Sequence, residues 1–363
     1  MPPSRFLPHS DLQSLLDALA ARGYAVIAPQ SRDGRIVYEE TRRSADLPWG
    51  ASLEQTAGGS RIHHAGHARC FTWANGPQAL KPLLFAPSEP LWRISRQADG
   101  YAVKAAETPQ RPLAVIGVRA CDLAALAIQD RHFLHGPYPD PRYGARREGM
   151  LLVAVNCTHP ASTCFCVSTG DGPEAKTDFD LALTELDDGF VIEAGSAEGE
   201  QILAALSLNA AQPAQTEAAA TGIRHAAESQ IRALAGRNLH DALMSRLSHP
   251  RWQEVAERCL ACGNCTMVCP TCFCHAENEQ PELDGSSSLH SREWDSCFGE
   301  RHGYIHGKQL RPEISQRYRQ WLTHKLATWH EQFGRSGCVG CGRCIAWCPV
   351  GIDITEEAAA LLK

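Results

Sequence analysis

Several signatures that would assign a chemistry directly are missing from the chain. No GxGxxG follows a predicted strand, no GxxxxGKS or GxxxxGKT phosphate loop occurs, and neither HExxH nor GxSxG is found. Dinucleotide, nucleoside-triphosphate, zinc-peptidase and serine-hydrolase chemistry therefore have no motif to rest on. The histidines and carboxylates offer no obvious acid–base pair, so the pattern suits an electron conductor better than a chemical active site. The first twenty residues lack a basic head followed by an apolar run, and no 18-residue apolar stretch occurs, which predicts a cytoplasmic chain with no membrane span. Charge of one sign is not in excess either: 35 basic and 41 acidic residues leave −6, which argues against nucleic acid as a partner. With 44% hydrophobic residues the chain can bury a real core, and 363 residues suggest two or three domains.

What the chain has in quantity is cysteine. There are 16, seven of them between Cys259 and Cys297 and four more between Cys338 and Cys348. In a reducing compartment such crowding points to metal or catalysis rather than to disulfides. Cys259, Cys262, Cys265 and Cys269 follow CxxCxxCxxxCP, and Cys338, Cys341, Cys344 and Cys348 repeat it. Two-residue gaps let one tight loop wrap three thiolates around a cubane, while the fourth cysteine, followed by proline, typically ligates the other cluster of a pair. Gly263 and Gly342 stand where backbone must approach the inorganic core. Zinc is the rival for CxxC pairs, but it needs four donors and usually takes two pairs spaced apart, so two complete runs predict two [4Fe–4S] clusters.

The remaining chain reads as an α/β (or α+β) N-terminal domain over 1–215 and a helical, dicluster ferredoxin-like domain over 216–363. Ser10 is placed to cap a helix bearing Leu12, Leu15, Leu16 and Leu19, with Gly23 at its end. Strands are expected at Tyr24 to Ala28 and Ile36 to Tyr38, at Leu113 to Val118 before a helix from Asp122 to Phe133, and at Leu151 to Val155. A hairpin is expected at Phe179 to Leu186 and Phe190 to Glu193. The Ala-rich segment from Ala194 to Gly222 reads as the domain boundary, and Ile223 to Cys259 as helical with a break at His249-Pro250. Beyond Cys259 helices and loops are expected, including a helix from Glu313 to Trp329.

Cys121 and Cys157 fall at the carboxyl ends of two predicted strands, where open α/β sheets place ligands, and Cys164 and Cys166 follow in one loop. These four are expected to form a third cluster site, against the alternative of buried thiols and one reactive pair. Cys272, Cys274 and Cys297 have three open readings: ligands of a further site, a dithiol that exchanges with sulfur substrates, or packing beneath the clusters. Cys70 reads as a core thiol, and His63, His64 and His67 as a solvated loop rather than a metal site.

The stretches GVRACDLAAL, NCTHPASTCFC, RCLACGNCTMVCPTCFC, EWDSCF and GCVGCGRCIAWCPVGIDI resemble the beta subunit of soluble, sulfhydrogenase-type [NiFe] hydrogenases, and are also similar to the A subunit of anaerobic sulfite reductases. The resemblance implies a multisubunit complex in which a flavin- and NAD(P)-binding subunit, holding FAD, exchanges electrons with this iron–sulfur chain. In the hydrogenase version, small and large [NiFe] subunits carry out the H₂ chemistry. It carries the dicluster role onto the eight cysteines of the two runs. The alternatives are a sulfite or polysulfide reductase subunit and a free-standing dicluster carrier.

Overall fold

The computed structural model describes residues 4–78, 80–108 and 111–363; the first three residues of the segment inspected for an export signal lie outside this set. The helix Leu12–Ala21 buries Leu12, Leu15, Leu16 and Leu19 and stops before Gly23, whose φ of +87° suits only glycine. Its cap position is Asp11 rather than Ser10, whose hydroxyl donates to the Asp11 carboxylate at 2.9 Å.

That helix packs on an eight-stranded sheet, ordered Asn209–Ala210, Arg5–Pro8, Gly189–Ala194, Leu181–Glu185, Leu151–Val155, Leu113–Val118, Ala25–Arg32 and Arg35–Glu40. The four strands from Leu181–Glu185 to Ala25–Arg32 run parallel, with Leu181 opposite Val153, Ala114 opposite Leu151 and Ala25 opposite Leu113. The flanking pairs are antiparallel. Alternation along the inner strands separates two cores: Val26, Ile116, Val153 and Leu183 face the Leu12–Ala21 helix, while Ile27, Val115, Leu152 and Ala182 face Leu123, Leu126 and Phe133. The N-terminal region is thus a mixed sheet-and-helix structure.

Two expectations need correction. The Ala-rich segment, expected as the domain boundary, forms the helices Ala197–Ala205 and Pro213–Glu228. Alanine has the highest helix propensity, Pro213 sits at the first helical position, and Gln212 and Gln215 close a capping box. The expected boundary at 215/216 falls inside the second of these helices. Helix then ends at Glu228 and resumes as His240–Met244 and Arg251–Arg258, the last directly after Pro250.

The second correction lies beyond Cys259, where a hairpin stands among the helices. Its strands His275–Pro281 and Ser287–Trp294 pair with each other, and the latter pairs with Ser88–Gln97, which pairs with Gly100–Ala105. Residues from both halves of the chain therefore build one four-stranded sheet. HAENEQP carries no apolar alternation, because most of its side chains are exposed or half-buried and its stability comes from distant partners. The expected helix at Glu313 to Trp329 is Ile314–Thr323, a widened π-type turn at His324–Thr328 and Trp329–Phe333. These pack with Arg251–Arg258 and Ile354–Leu361 around Trp252, Val255, Tyr318, Leu322, Ile354 and Leu361.

Glu89 holds the shared sheet to the helix Pro141–Arg147. Its buried carboxylate meets Arg146 at 2.5 Å, Arg142 at 3.5 Å and Arg292 from the hairpin. Burial opposes its ionisation, but the Arg146 and Arg292 guanidiniums outweigh that and hold its pKa below the ordinary 4.5. The stabilisation is therefore complete above that value and is lost as pH falls through the lowered one. Glu89→Gln leaves Arg142 and Arg146 without a carboxylate, while Arg292 keeps Asp140, and is expected to cost about 3–5 kcal/mol in denaturant unfolding at pH 7. The gap from the native chain should narrow below about pH 4; a gap independent of pH would refute the ion-pair account.

Candidate metal centres

Each CxxCxxC loop turns on two left-handed residues. In the first run these are Ala261 (φ +51°) and Gly263 (φ +73°); in the second, Gly340 (φ +63°) and Gly342 (φ +72°). Short helical turns, Asn264–Met267 and Arg343–Ala346, follow and carry the third cysteine of each run. The winding aims backbone N–H groups at sulfur: Ala261 donates to Cys259 Sγ at 3.4 Å, Gly340 to Cys338 Sγ at 3.5 Å and Ile352 to Cys348 Sγ at 3.3 Å. Such donors favour thiolate over thiol.

The fourth cysteine of each run stands with the first three of the other. Cys259, Cys262, Cys265 and Cys348 line a recess of about 420 Å³, part of it open to solvent, that Cys344 also borders. Cys269 lies within electrostatic reach of Cys338, Cys341 and Cys344. Burial pushes the Cys338 thiol up to about 12 and raises Cys265 and Cys344 as well. Left alone, these sulfurs stay protonated, and a bound metal would ionise them. Cys269 is the exception. The neighbouring Cys272 thiol and the Lys325 ammonium, 3.4 Å away, together outweigh burial and hold it well below the ordinary thiol value. Lys325 is itself buried, on the π-type turn, and also donates to Thr271 Oγ1 at 3.0 Å.

Cys121, Cys157, Cys164 and Cys166 line one pocket at the carboxyl ends of Leu113–Val118 and Leu151–Val155, together with Cys341 of the second run. Cys121 sits in the first turn of the helix Ala120–Phe133, which begins earlier than expected. Burial raises all four thiols, Cys166 to about 12. Three residues of this pocket were not legible as site residues. Gln230 donates to Cys166 Sγ at 3.2 Å, Asn75 donates to the Cys341 carbonyl at 2.7 Å, and buried Arg119 donates to the carbonyls of Phe71 (2.9 Å) and Asn156 (3.3 Å).

The pocket and the second run touch through backbone. Phe165 N–H donates to Gly340 O at 2.8 Å. A Cβ on Gly340 would lie 2.5 Å from Cys166 Cα, and one on Gly342 2.4 Å from Thr163 O. Next to them Arg343 pairs with Asp122 at 2.7 Å, the two being 1% and 2% exposed.

Cys70 is buried in the sheet core, and its N–H and that of Phe71 donate to Glu185 at 2.7 Å each. His63 pairs with Glu54 at 3.1 Å across the exposed hairpin Ala51–Thr56/Gly59–His64, and His67 Nε2 is 3.0 Å from both Ser52 and Thr72 hydroxyls. Among the described residues no three His, Cys, Asp or Glu side chains converge on one ion-sized point. The cysteines instead ring recesses, a spacing that suits a polynuclear group, and their soft sulfurs and N–H donors fit iron–sulfur chemistry.

Residues 258–352 match the 4Fe-4S dicluster domain. The chain is 33% identical over 244 residues to Sulfhydrogenase 2 subunit beta of Pyrococcus furiosus, an alignment covering 66% of this chain and 71% of that one. It belongs to the family of iron–sulfur hydrogenase beta subunits. Electron transfer through a 4Fe-4S dicluster domain is the business of this family, and both cysteine runs of the chain lie inside the matched residues. No solved structure matches the chain. Among the described residues no helix is long and apolar enough to cross a membrane.

Gly340→Ala forces a methyl group into the Phe165–Cys166 backbone in a left-handed conformation. It is expected to destabilise the chain by about 2–4 kcal/mol. Ala261, at the equivalent place in the first run, should accept glycine with a change below about 1 kcal/mol; thermal unfolding of the two variants compares the sites directly.

Proposed function

We propose that the chain relays electrons between a flavin- and NAD(P)-binding subunit and the small and large subunits of a cytoplasmic [NiFe] hydrogenase complex. In this reading Cys259, Cys262, Cys265 and Cys348 hold one [4Fe–4S] cluster, Cys338, Cys341, Cys344 and Cys269 a second, and Cys121, Cys157, Cys164 and Cys166 a third. Bound clusters of this type supply one-electron carriers whose potentials follow burial and hydrogen bonding to sulfur.

The observation that carries the reading is contiguity. Cys344 belongs to the second group and borders the first recess, while Cys341 belongs to the second group and faces the sheet pocket. Three thiol groups therefore adjoin in a row without a long gap. The chain's own residues set the conditions along that row. Lys325 places positive charge beside Cys269, Gln230 donates to Cys166, and main-chain N–H groups donate to Cys259, Cys338 and Cys348. Each favours a charged sulfur where water is scarce.

Cys262→Ser or Cys344→Ser in the purified complex should lower H₂-dependent NAD(P) reduction severalfold or more, while H₂ oxidation with an artificial dye is largely retained. Equal loss of both activities in an intact complex would count against a relay. Metal analysis separates the alternative: a complex with no nickel that reduces sulfite would move the chain to the sulfite reductase reading. A native protein running near 39.6 kDa in size exclusion would indicate a free carrier.

A further inference from the structure

Cys272, Cys274 and Cys297 belong to none of the three groups, yet the hairpin gathers them. His275 lies opposite Trp294 at its base, and Asp295 N–H donates to Cys274 O at 2.9 Å, so the chain leaving the second strand delivers Cys297 beside Cys274. Cys272 stands two residues before Cys274 on the same segment. All three line a recess of about 540 Å³, partly open to solvent, together with His302, His324 and Lys325.

The two histidines are not equivalent. His324 Nε2 accepts the Trp329 indole N–H at 2.8 Å, so that nitrogen is already in use. His302 Nδ1 is 3.0 Å from Asp295 Oδ2, and its ring lies against the Cys274 thiol. With the Nδ1 proton given to the carboxylate, Nε2 keeps a free lone pair, which is how carboxylates orient imidazoles that bind metal. Positive charge also surrounds the recess. Lys325 is on its wall, and buried Lys81, whose ammonium sits 3.7 Å over the Trp294 ring, is within electrostatic reach of Cys272 and Cys274. Two buried lysines beside three thiols compensate an anionic, thiolate-bound group better than three neutral thiols.

We propose that Cys272, Cys274, Cys297 and His302 form a further [4Fe–4S] site, with His302 Nε2 as its one nitrogen ligand and Asp295 as the residue that positions it. Three sulfurs and one imidazole are also a zinc set. Here, however, the donors surround a recess, and no three of the described donors meet at an ion-sized point. Through Lys325, which lines this recess and donates to Cys269 at 3.4 Å, the site adjoins the second group on a different side from Cys341. It extends the row proposed above into a branch and stands independently of the partner subunits.

The test uses the full chain, loaded anaerobically with ferrous iron and sulfide and assayed for iron, sulfide and zinc. Native protein should hold about sixteen iron, and Cys297→Ser should lose about four iron and four sulfide. Cys164→Ser, in the sheet pocket, tests the third group separately, so failure there is distinguishable from failure here. His302→Cys offers a reading that does not depend on tolerance of Cys297→Ser: it should keep the iron and abolish the nitrogen hyperfine coupling that pulsed EPR detects in the reduced native protein. Unchanged iron in Cys297→Ser, loss of one zinc with iron retained, or no nitrogen coupling in the native protein would each overturn the proposal.

Discussion

Two glycines without room for a side chain hold the molecule's chemistry together. At Gly340 and Gly342 the second cysteine run lies directly on the backbone of residues 163–166, and any Cβ would stand within 2.5 Å of main-chain atoms. The Phe165 N–H to Gly340 O bond fixes the register, Asn75 donates to the Cys341 carbonyl at 2.7 Å, and Arg343 donates to the Gly76 carbonyl at 2.9 Å. The sheet pocket and the dicluster region are therefore one packed unit at this seam. Both left-handed turns serve two ends: they wind the loop around its sulfurs, and they remove the bulk that would keep the loop from its neighbour.

Charge is organised around the same seam. Asp122 and Arg343 are almost wholly buried, and a pair so placed costs desolvation that only close, doubly bonded geometry offsets; the guanidinium meets both carboxylate oxygens, at 2.7 and 3.1 Å. Arg119 is buried without a carboxylate; its Nη groups donate to the main-chain carbonyls of Phe71 and Asn156 while its Nε has no partner, and its guanidinium is 4.6 Å from the Trp73 ring centroid. Lys325 is buried against a sulfur. Unlike the exposed ion pairs of the surface, these cations lie beside thiols, where a low dielectric strengthens their effect on ionised sulfur.

Legibility in the sequence followed the range of the interactions. The inner strands and the Leu12–Ala21 helix were readable because their burial patterns repeat locally: LAVIGV and LLVAV are covered on both faces, and the four leucines share one. Cysteine spacing was readable because a tight loop imposes it. The hairpin His275–Pro281/Ser287–Trp294 was not, since its partner strand is Ser88–Gln97, far away in sequence, and its own residues are polar. Only that hairpin brings Cys274 and Cys297 together, and nothing local in the sequence marks it. Asn75, Arg119 and Gln230 were opaque for the same reason, as polar side chains whose role exists only once distant segments have packed.

The exchange of fourth cysteines has a consequence for how the molecule is made. Because Cys348 completes the first group and Cys269 the second, neither thiol set exists until both runs have been synthesised and brought together. Filling of the proposed cluster pair would therefore be an all-or-none event. The long insertion between the runs burdens that event little, since closing a loop twice as long costs only about 0.6 kcal/mol more. The interval between Cys269 and Cys338 is in this sense a permissive slot: a hairpin, extra thiols and a lysine-bearing helix have been accommodated there while the geometry that joins the two runs stays as it is.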